Sequence, residues 1–192
     1  ATQSVVTKLK VDTTPDKITR PLKISDESGS SVPDGYARWL KTNTIKQKQS
    51  EYRSVFITLE AGDITSNQLN SMATLIREFS SEGKARTGFV QNVALRYVHD
   101  DDLISLYSKL LETGLAKSGA LTMTTPIGCS GTTSCNLALT NSHRLAKEIQ
   151  RKFLELKLDE DDDLSDSSIK ISGCPNSCGQ HGIATIGFFG GG

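Results

Sequence analysis

The sequence has little aromatic character and no excess of either charge. Aromatic residues make up 6% of the 192 residues, with a single tryptophan, Trp39. Lysine and arginine number 22, and so do aspartate and glutamate, for a formal net charge of zero. A chain so balanced has no electrostatic footprint for nucleic acid or for a membrane surface. No apolar run is long enough to span a bilayer, and the first residues lack the pattern of a secretory signal peptide. Cysteine is scarce: four residues are too few for a disulfide scaffold in a chain of this size. Neither a C-x-x-C redox pair nor a flavin or nicotinamide fingerprint occurs.

Those few cysteines are unevenly placed. Cys129 and Cys135 lie in CSGTTSC, and Cys174 and Cys178 lie in CPNSC. Short spacing puts two thiolates of each pair within reach of one metal centre. The Gly, Ser, Thr, Pro and Asn around them let the backbone turn tightly and aim N–H groups at sulfur. Structural zinc sites favour a gap of about two residues, whereas these gaps are five and three. Four unrelated buried cysteines would rarely cluster in this way. Four thiolates from two loops match the ligand count of a [4Fe–4S] cluster, ahead of zinc or a dithiol pair. The clustering also favours a reducing, cytoplasmic setting.

The rest of the chain reads as two mixed α/β units behind an arm. Residues 1–50 show no sustained periodicity and read as an extended arm or linker, with a packing anchor at Tyr36, Trp39 and Leu40. Residues 51–117 alternate strand, helix, strand, helix. The first strand covers 53–59, with Val55, Ile57 and Leu59 on one face. A helix from Thr65 to Phe79 carries Leu69, Met72, Leu75, Ile76 and Phe79. The second strand turns Val93, Leu95 and Tyr97 to one side. The second helix, capped by Asp100 or Asp101, carries Leu103, Leu106, Leu110 and Leu111 and ends at Gly114. This is a βαβ-type unit with too few strands to close its own sheet, hence half of a ferredoxin-like domain.

Residues 118–192 hold the cysteines. A helix from Asn141 to Leu156 is expected to bury Leu145, Ile149, Phe153 and Leu156. The acidic run from Asp159 to Ser168 reads as a solvated loop. A short strand, Ile169 to Ile171, leads to the second pair, and a last strand carries Ile183, Ile186 and Phe188. The ending GFFGGG reads as a strand interrupted before its domain is complete.

The cysteine segments carry a resemblance. ISGCPNSCGQHGIATIGF and GCSGTTSCNLALTNSHRLAKEI resemble the two cysteine motifs of the siroheme-dependent nitrite/sulfite reductases. ARWLKTNTIKQKQSEYRSVFITLEAGDIT and ARTGFVQNVALRYV resemble the ferredoxin-like half-domain of that family. The family is an internal duplication, and the resemblance is to its second, cysteine-bearing half. The implied fold is α+β: a ferredoxin-like half-domain, then a siroheme- and [4Fe–4S]-binding α/β half-domain. The resemblance implies that Cys129, Cys135, Cys174 and Cys178 hold a [4Fe–4S] cluster. Cys178 would also bridge to the siroheme iron, which makes it the catalytic cysteine. Thr87, Gln91, Asn92 and Asn176 are candidate cofactor contacts, each also readable as an ordinary strand or turn residue. His181 is a candidate proton relay or carboxylate partner, while His99 and His143 read as surface residues. Lys84, Arg86 and Arg96 are candidate partners for siroheme carboxylates.

The implied reaction is six-electron reduction of a small oxyanion, sulfite to sulfide or nitrite to ammonia. The implied donor is a ferredoxin-like carrier. The family's first half commonly has Arg where Val90 stands here, so the basic residues for the substrate are expected from elsewhere. They would come from a first-half domain, a partner subunit or a second copy of the chain. The competing reading is a [4Fe–4S] electron-transfer module, or a non-catalytic half, without siroheme.

Overall fold

Trp39, completely shielded from solvent, marks the start of the first core. The computed structural model describes residues 32–164 and 167–191, with only the backbone of Asp159. The expected arm over 1–31 therefore lies outside the described residues. From Tyr36 the linker reading gives way to structure. Helix α1 (Tyr36–Asn43) follows Gly35, whose φ of 80° needs glycine and whose missing side chain makes room for the Tyr107 hydroxyl. Strand β1 (Thr44–Lys46) then pairs antiparallel with β2 (Tyr52–Thr58). Trp39 packs against the rings of Tyr36 and Tyr107, with centroids 6.0 and 5.1 Å away. Low periodicity in a single short helix hid this element from sequence reading.

Helix α2 (Ser66–Phe79) begins at a capping box. The Thr65 hydroxyl accepts from Gln68 N–H, and the Gln68 side chain accepts from Thr65 N–H. A short strand β3 (Ala85–Thr87) follows, then β4 (Asn92–His99) and helix α3 (Leu103–Glu112). The sheet order is β1-β2-β4-β3, antiparallel throughout. Strand β4 thus lies between β2 and β3, a split βαβ arrangement. The sequence reading missed β3 and β1 because three residues carry too little pattern.

Val55 and Ile57 face the helices together with Leu95 and Val98, all fully buried. The register of β2 against β4 shifts between Arg53 and Val55, and Tyr97 adopts φ 54°. This bulge puts Val98, rather than Tyr97, into the core cluster. Tyr97 is buried against the Tyr52 ring instead. Leu69 and Leu111, expected on buried stripes, are exposed at the helix margins. His99, expected at the surface, is half-buried, stands edge-on to Tyr52 and accepts from Asp101 N–H, so it caps the turn before α3 in place of an aspartate.

The second unit is a parallel sheet, β5 (Ile127–Gly128), β6 (Ile169–Ser172) and β7 (Ile186–Phe189), in that order. Helix α4 (Ser142–Glu155) connects β5 to β6, with Asn141 capping its first turn through Arg144 N–H. Its buried residues are Ser142, Ala146 and Gln150. The expected stripe is corrected: Leu145 and Leu156 are exposed, and Ile149 and Phe153 are half-buried. The reason is close approach. A Cβ on Gly128 would stand 2.8 Å from the Ser142 carbonyl oxygen and 2.9 Å from the Ala146 methyl. Only small residues fit between α4 and β5, so the large ones rim the contact.

Asn43, with no solvent exposure, ties the units together. Its amide nitrogen donates to the carbonyls of Phe56 and Lys117, both at 2.9 Å, and its oxygen accepts from Ala120 N–H. Asp63, before α2, accepts from Lys147 at 2.7 Å and lies 3.2 Å from His143, both on α4. The Lys147 bond leads in holding its carboxyl below the ordinary range. That contribution to stability is present above the ordinary carboxylate pKa and is lost as pH falls through the depressed value. His143, expected at the surface, is thus half-buried at the contact between units. Within the acidic run, Asp162 pairs with Arg38 at 2.8 Å and Lys41 at 2.6 Å of α1. Replacing Asn43 by Ala strands buried donors and acceptors. It is expected to cost about 2–4 kcal/mol in chemical denaturation, and Asn43→Asp, which cannot donate, should not restore the loss.

Candidate functional site

Both cysteine pairs lie beyond the carboxyl ends of neighbouring parallel strands. Cys129 follows β5 directly, and its N–H donates to the Ile171 carbonyl of β6 at 3.1 Å. A 3-10 turn at Gly131–Thr133 brings the chain to Cys135, whose N–H donates to the Gly131 carbonyl. Beyond β6, Gly173 leads to Cys174, and a turn with Ser177 at φ 61° carries Cys178. Cys129 and Cys174 are half-buried, Cys135 and Cys178 are exposed, and all four are free thiols.

The two loops meet at Gly173. Its N–H donates to Cys129 Sγ at 3.1 Å, and its carbonyl accepts from Leu139 and Thr140 N–H at 2.8 and 3.0 Å. A Cβ there would lie 2.9 Å from both Gly131 Cα and the Thr140 carbonyl oxygen. Ser142, at the start of α4, places its hydroxyl 3.1 Å from Cys129 Sγ and 2.9 Å from the Cys129 carbonyl. Burial pushes the Cys129 thiol up, but the Ser142 hydroxyl and the backbone N–H groups around the sulfur outweigh it and hold the thiol below its ordinary value. The environment thus favours a sulfur carrying negative charge. Among the described residues, no three His, Cys, Asp or Glu side chains converge in metal-binding geometry. The fold brings the two loops together, but not four sulfurs to one point.

The other candidates divide. Gln91, at φ 54°, uses both ends of its amide on Gly128: Nε2 donates to the carbonyl at 2.8 Å and Oε1 accepts from the N–H at 3.2 Å. It therefore anchors the first unit to the strand that presents Cys129. Asn92 is buried, and neither end of its side-chain amide has a hydrogen-bond partner. Thr87 is exposed at the end of β3, and Asn176 is exposed in the second loop. His181 stacks on Phe189, with centroids 4.9 Å apart, and meets the Ser172 hydroxyl at 2.9 Å.

Arg86 and Arg96 both bind Glu82, whose side chain is 5% exposed. Burial pushes that carboxyl up, but the two guanidiniums outweigh it and hold it low. Lys84 is exposed. A separate cleft of about 520 Å3 between the units is lined by Glu60, Asp63, Thr65, Gln68, Lys117 and Lys147. Its lysines pair with its own acids. Sequence reasoning missed two groups, Ser142 beside the Cys129 thiol and the buried Lys170, which reaches Gln180 after the second cysteine loop. The available signal was charge: no Asp or Glu occurs between Glu112 and Glu148, or after Asp166.

A split antiparallel sheet joined to a cysteine-bearing parallel sheet defines a ferredoxin-like half-domain followed by an α/β half-domain. Residues 45–113 match the nitrite/sulfite reductase ferredoxin-like half domain. The chain is 32% identical to a ferredoxin–nitrite reductase of Synechococcus elongatus, over 75% of this chain and 27% of that protein. It is 27% identical to sulfite reductase [ferredoxin] 1 of Mycolicibacterium paratuberculosis, over 76% of this chain and 26% of that one. The fold superposes on the Mycobacterium tuberculosis NirA protein with a TM-score of 0.63 at 24% identity, covering 78% of this chain and 27% of that chain. Residues 45–113 thus carry the ferredoxin-like half domain of the nitrite/sulfite reductases, and the chain as a whole is similar to members of that family. It spans about a quarter of the length of the curated relatives it matches.

Two substitutions probe the site. Gly173→Ala drives the loops apart and is expected to cost about 1–3 kcal/mol in stability, read by chemical denaturation. Ser142→Ala removes a donor from Cys129. The pH midpoint for alkylation of Cys129 by iodoacetamide should lie below the ordinary thiol value and move up in the variant, as read by mass spectrometry.

Proposed function

We propose that this chain is the cysteine-bearing half of a reductase of nitrite or sulfite that uses siroheme and a [4Fe–4S] cluster. The observation that carries the reading is the pair of cysteine loops on neighbouring strands, locked at Gly173, with the Gly173 N–H donating to Cys129 sulfur and the Ser142 hydroxyl beside it. The residues suit such a group: four thiols, a sulfur environment that favours negative charge, and a buried Asn92 amide with no partner. Cys129, Cys135, Cys174 and Cys178 would hold the cluster, with Cys178 shared with the siroheme iron. Asn92 would satisfy a polar group of the siroheme. Bound, these groups supply one-electron transfer and an iron at which an oxyanion can be reduced.

The chain's own residues ligate, orient and exclude water. Gln91 and Gly173 fix where the first loop stands, and Ser172 and His181 hold the segment after Cys178. Arg86 and Arg96 are committed to Glu82, so the cations that bind substrate would come from the remaining part of the enzyme. The proposed organisation is a ferredoxin-like unit up to about residue 117 and a cofactor-binding unit over 118–192. A ferredoxin-like protein would donate electrons, as the names of the Synechococcus and Mycolicibacterium relatives state for those proteins.

The anaerobically purified full-length protein is expected to show a Soret-type band with a red-region band, and to yield porphyrin into acid acetone. A broad iron–sulfur shoulder without extractable porphyrin would leave the electron-transfer module as the function. Cys178→Ser is expected to abolish the electronic coupling of haem and cluster, and with it reduction of nitrite and sulfite under reduced viologen. Spectra and turnover like wild type in that variant would remove the shared ligand.

A further inference from the structure

Strand β6 is the central and most buried strand of the second sheet, and one of its residues is a lysine. Along a strand, side chains alternate between faces. Ile169 and Ile171 pack with Ala146 of α4. Lys170 and Ser172 therefore point to the opposite face, towards the segment that follows Cys178. Both grip it. Ser172 Oγ accepts from Gly179 N–H at 3.1 Å, and Lys170 Nζ donates to Gln180 Oε1 at 2.8 Å.

Lys170 is 8% exposed, and among the described residues no carboxylate pairs with it. Gln180 is a neutral partner and leaves the charge uncompensated. Burying an ammonium without a counter-ion is costly, and negative charge brought beside it would offset that cost. Carboxylates are absent from both cysteine loops, since none occurs between Glu112 and Glu148 or after Asp166. The groups near this turn that can carry negative charge are its thiols. Gln180 lies two residues beyond Cys178, and the next side chain along the same strand face, Ser172, lies two residues before Cys174.

We propose that Lys170 is the buried counter-charge of the thiolate-held cluster, gripping the Cys178 turn through Gln180 and raising the cluster's reduction potential. The inference rests on the cluster reading given above. A [4Fe–4S] centre with four thiolates is a net dianion in its oxidised form and a trianion after it takes up one electron. A fixed cation nearby stabilises the trianion more than the dianion and so favours the reduced form. No proton or bond need move. Lys170 touches neither substrate nor iron and acts through the turn and its charge.

The test is an anaerobic potentiometric titration of the full-length holoprotein, followed by the EPR signal of the reduced cluster. Lys170→Met and Lys170→Gln are expected to titrate at more negative potential than wild type, and Lys170→Arg close to it. In the cluster-free protein, Lys170→Met is expected to raise the melting temperature, because an uncompensated buried charge is gone. That crossed result, lower potential with higher cluster-free stability, is not what a merely structural residue would produce. Failure of Met and Gln variants to load a cluster that the Arg variant accepts has the same meaning. Unchanged potentials in fully loaded Met and Gln variants would overturn the proposal, as would an Arg variant that behaves like Met. Asp166 lies outside the described residues and is the nearest acid in the sequence. An Asp166→Asn background that abolishes the effect of Lys170→Met would make that carboxylate the partner and overturn the proposal too. A wild-type protein without cluster iron and sulfide would remove the cluster reading itself, whereas a loaded wild type with unresponsive variants removes only the role of Lys170.

Discussion

The contact between two glycine backbones, Gly131 and Gly173, is the constraint on which the cysteine site depends. At Gly173 there is no room for a side chain, because the other loop fills the space a Cβ would need. That closeness lets one peptide unit serve both loops. Its N–H reaches Cys129 sulfur and its carbonyl takes the N–H groups of Leu139 and Thr140. The strand leading into it, β6, is paired on both edges and buried along its length, so the junction is held by the stiffest part of the unit.

The two units are built to different standards of completeness. The first has a continuous core of three helices against one sheet face, centred on Trp39, Val55, Ile57, Leu95 and Leu106. The second has a small core, and its parallel edge strand β7 is exposed throughout. Parallel sheets are normally covered on both faces. Here α4 covers one face, while Leu145, Ile149, Phe153, Leu156 and Leu158 leave an apolar groove of about 410 Å3 along the outer side of that helix. The second unit draws support from the first through Asn43 on Ala120, Gln91 on Gly128, Asp63 against α4, Asp162 against α1, and Ala61 beside Met123.

Charge is handled by separation. The guanidiniums of Arg86 and Arg96 are neutralised on Glu82, and Asp162 of the acidic run is turned towards Arg38 and Lys41 of α1. The cysteine loops are left free of carboxylates. Backbone N–H groups and the Ser142 hydroxyl then define the electrostatics of the Cys129 thiol. Negative charge on sulfur is stabilised there without competition from nearby acids.

The long, periodic elements were legible in the sequence, because a helix or strand that must bury one face repeats its apolar residues at a fixed spacing. So α2, β2, β4, α3 and α4 were readable, as were the pairing of the cysteines and the family resemblance carried by their flanks. The short elements α1, β1 and β3 were not, since a few residues hold no period. Pattern also misplaced two faces. A bulge substituted Val98 for Tyr97 in the core, and the approach of α4 to Gly128 reserved its contact for Ser142 and Ala146. The partners of polar side chains were set by tertiary structure alone: Gln91 ties down Gly128, Arg86 and Arg96 serve Glu82, and Lys170 reaches Gln180. Sequence determines which groups are available and their local rhythm. Which of them meet depends on sub-ångström packing between segments far apart in the chain, and only the folded structure decides that.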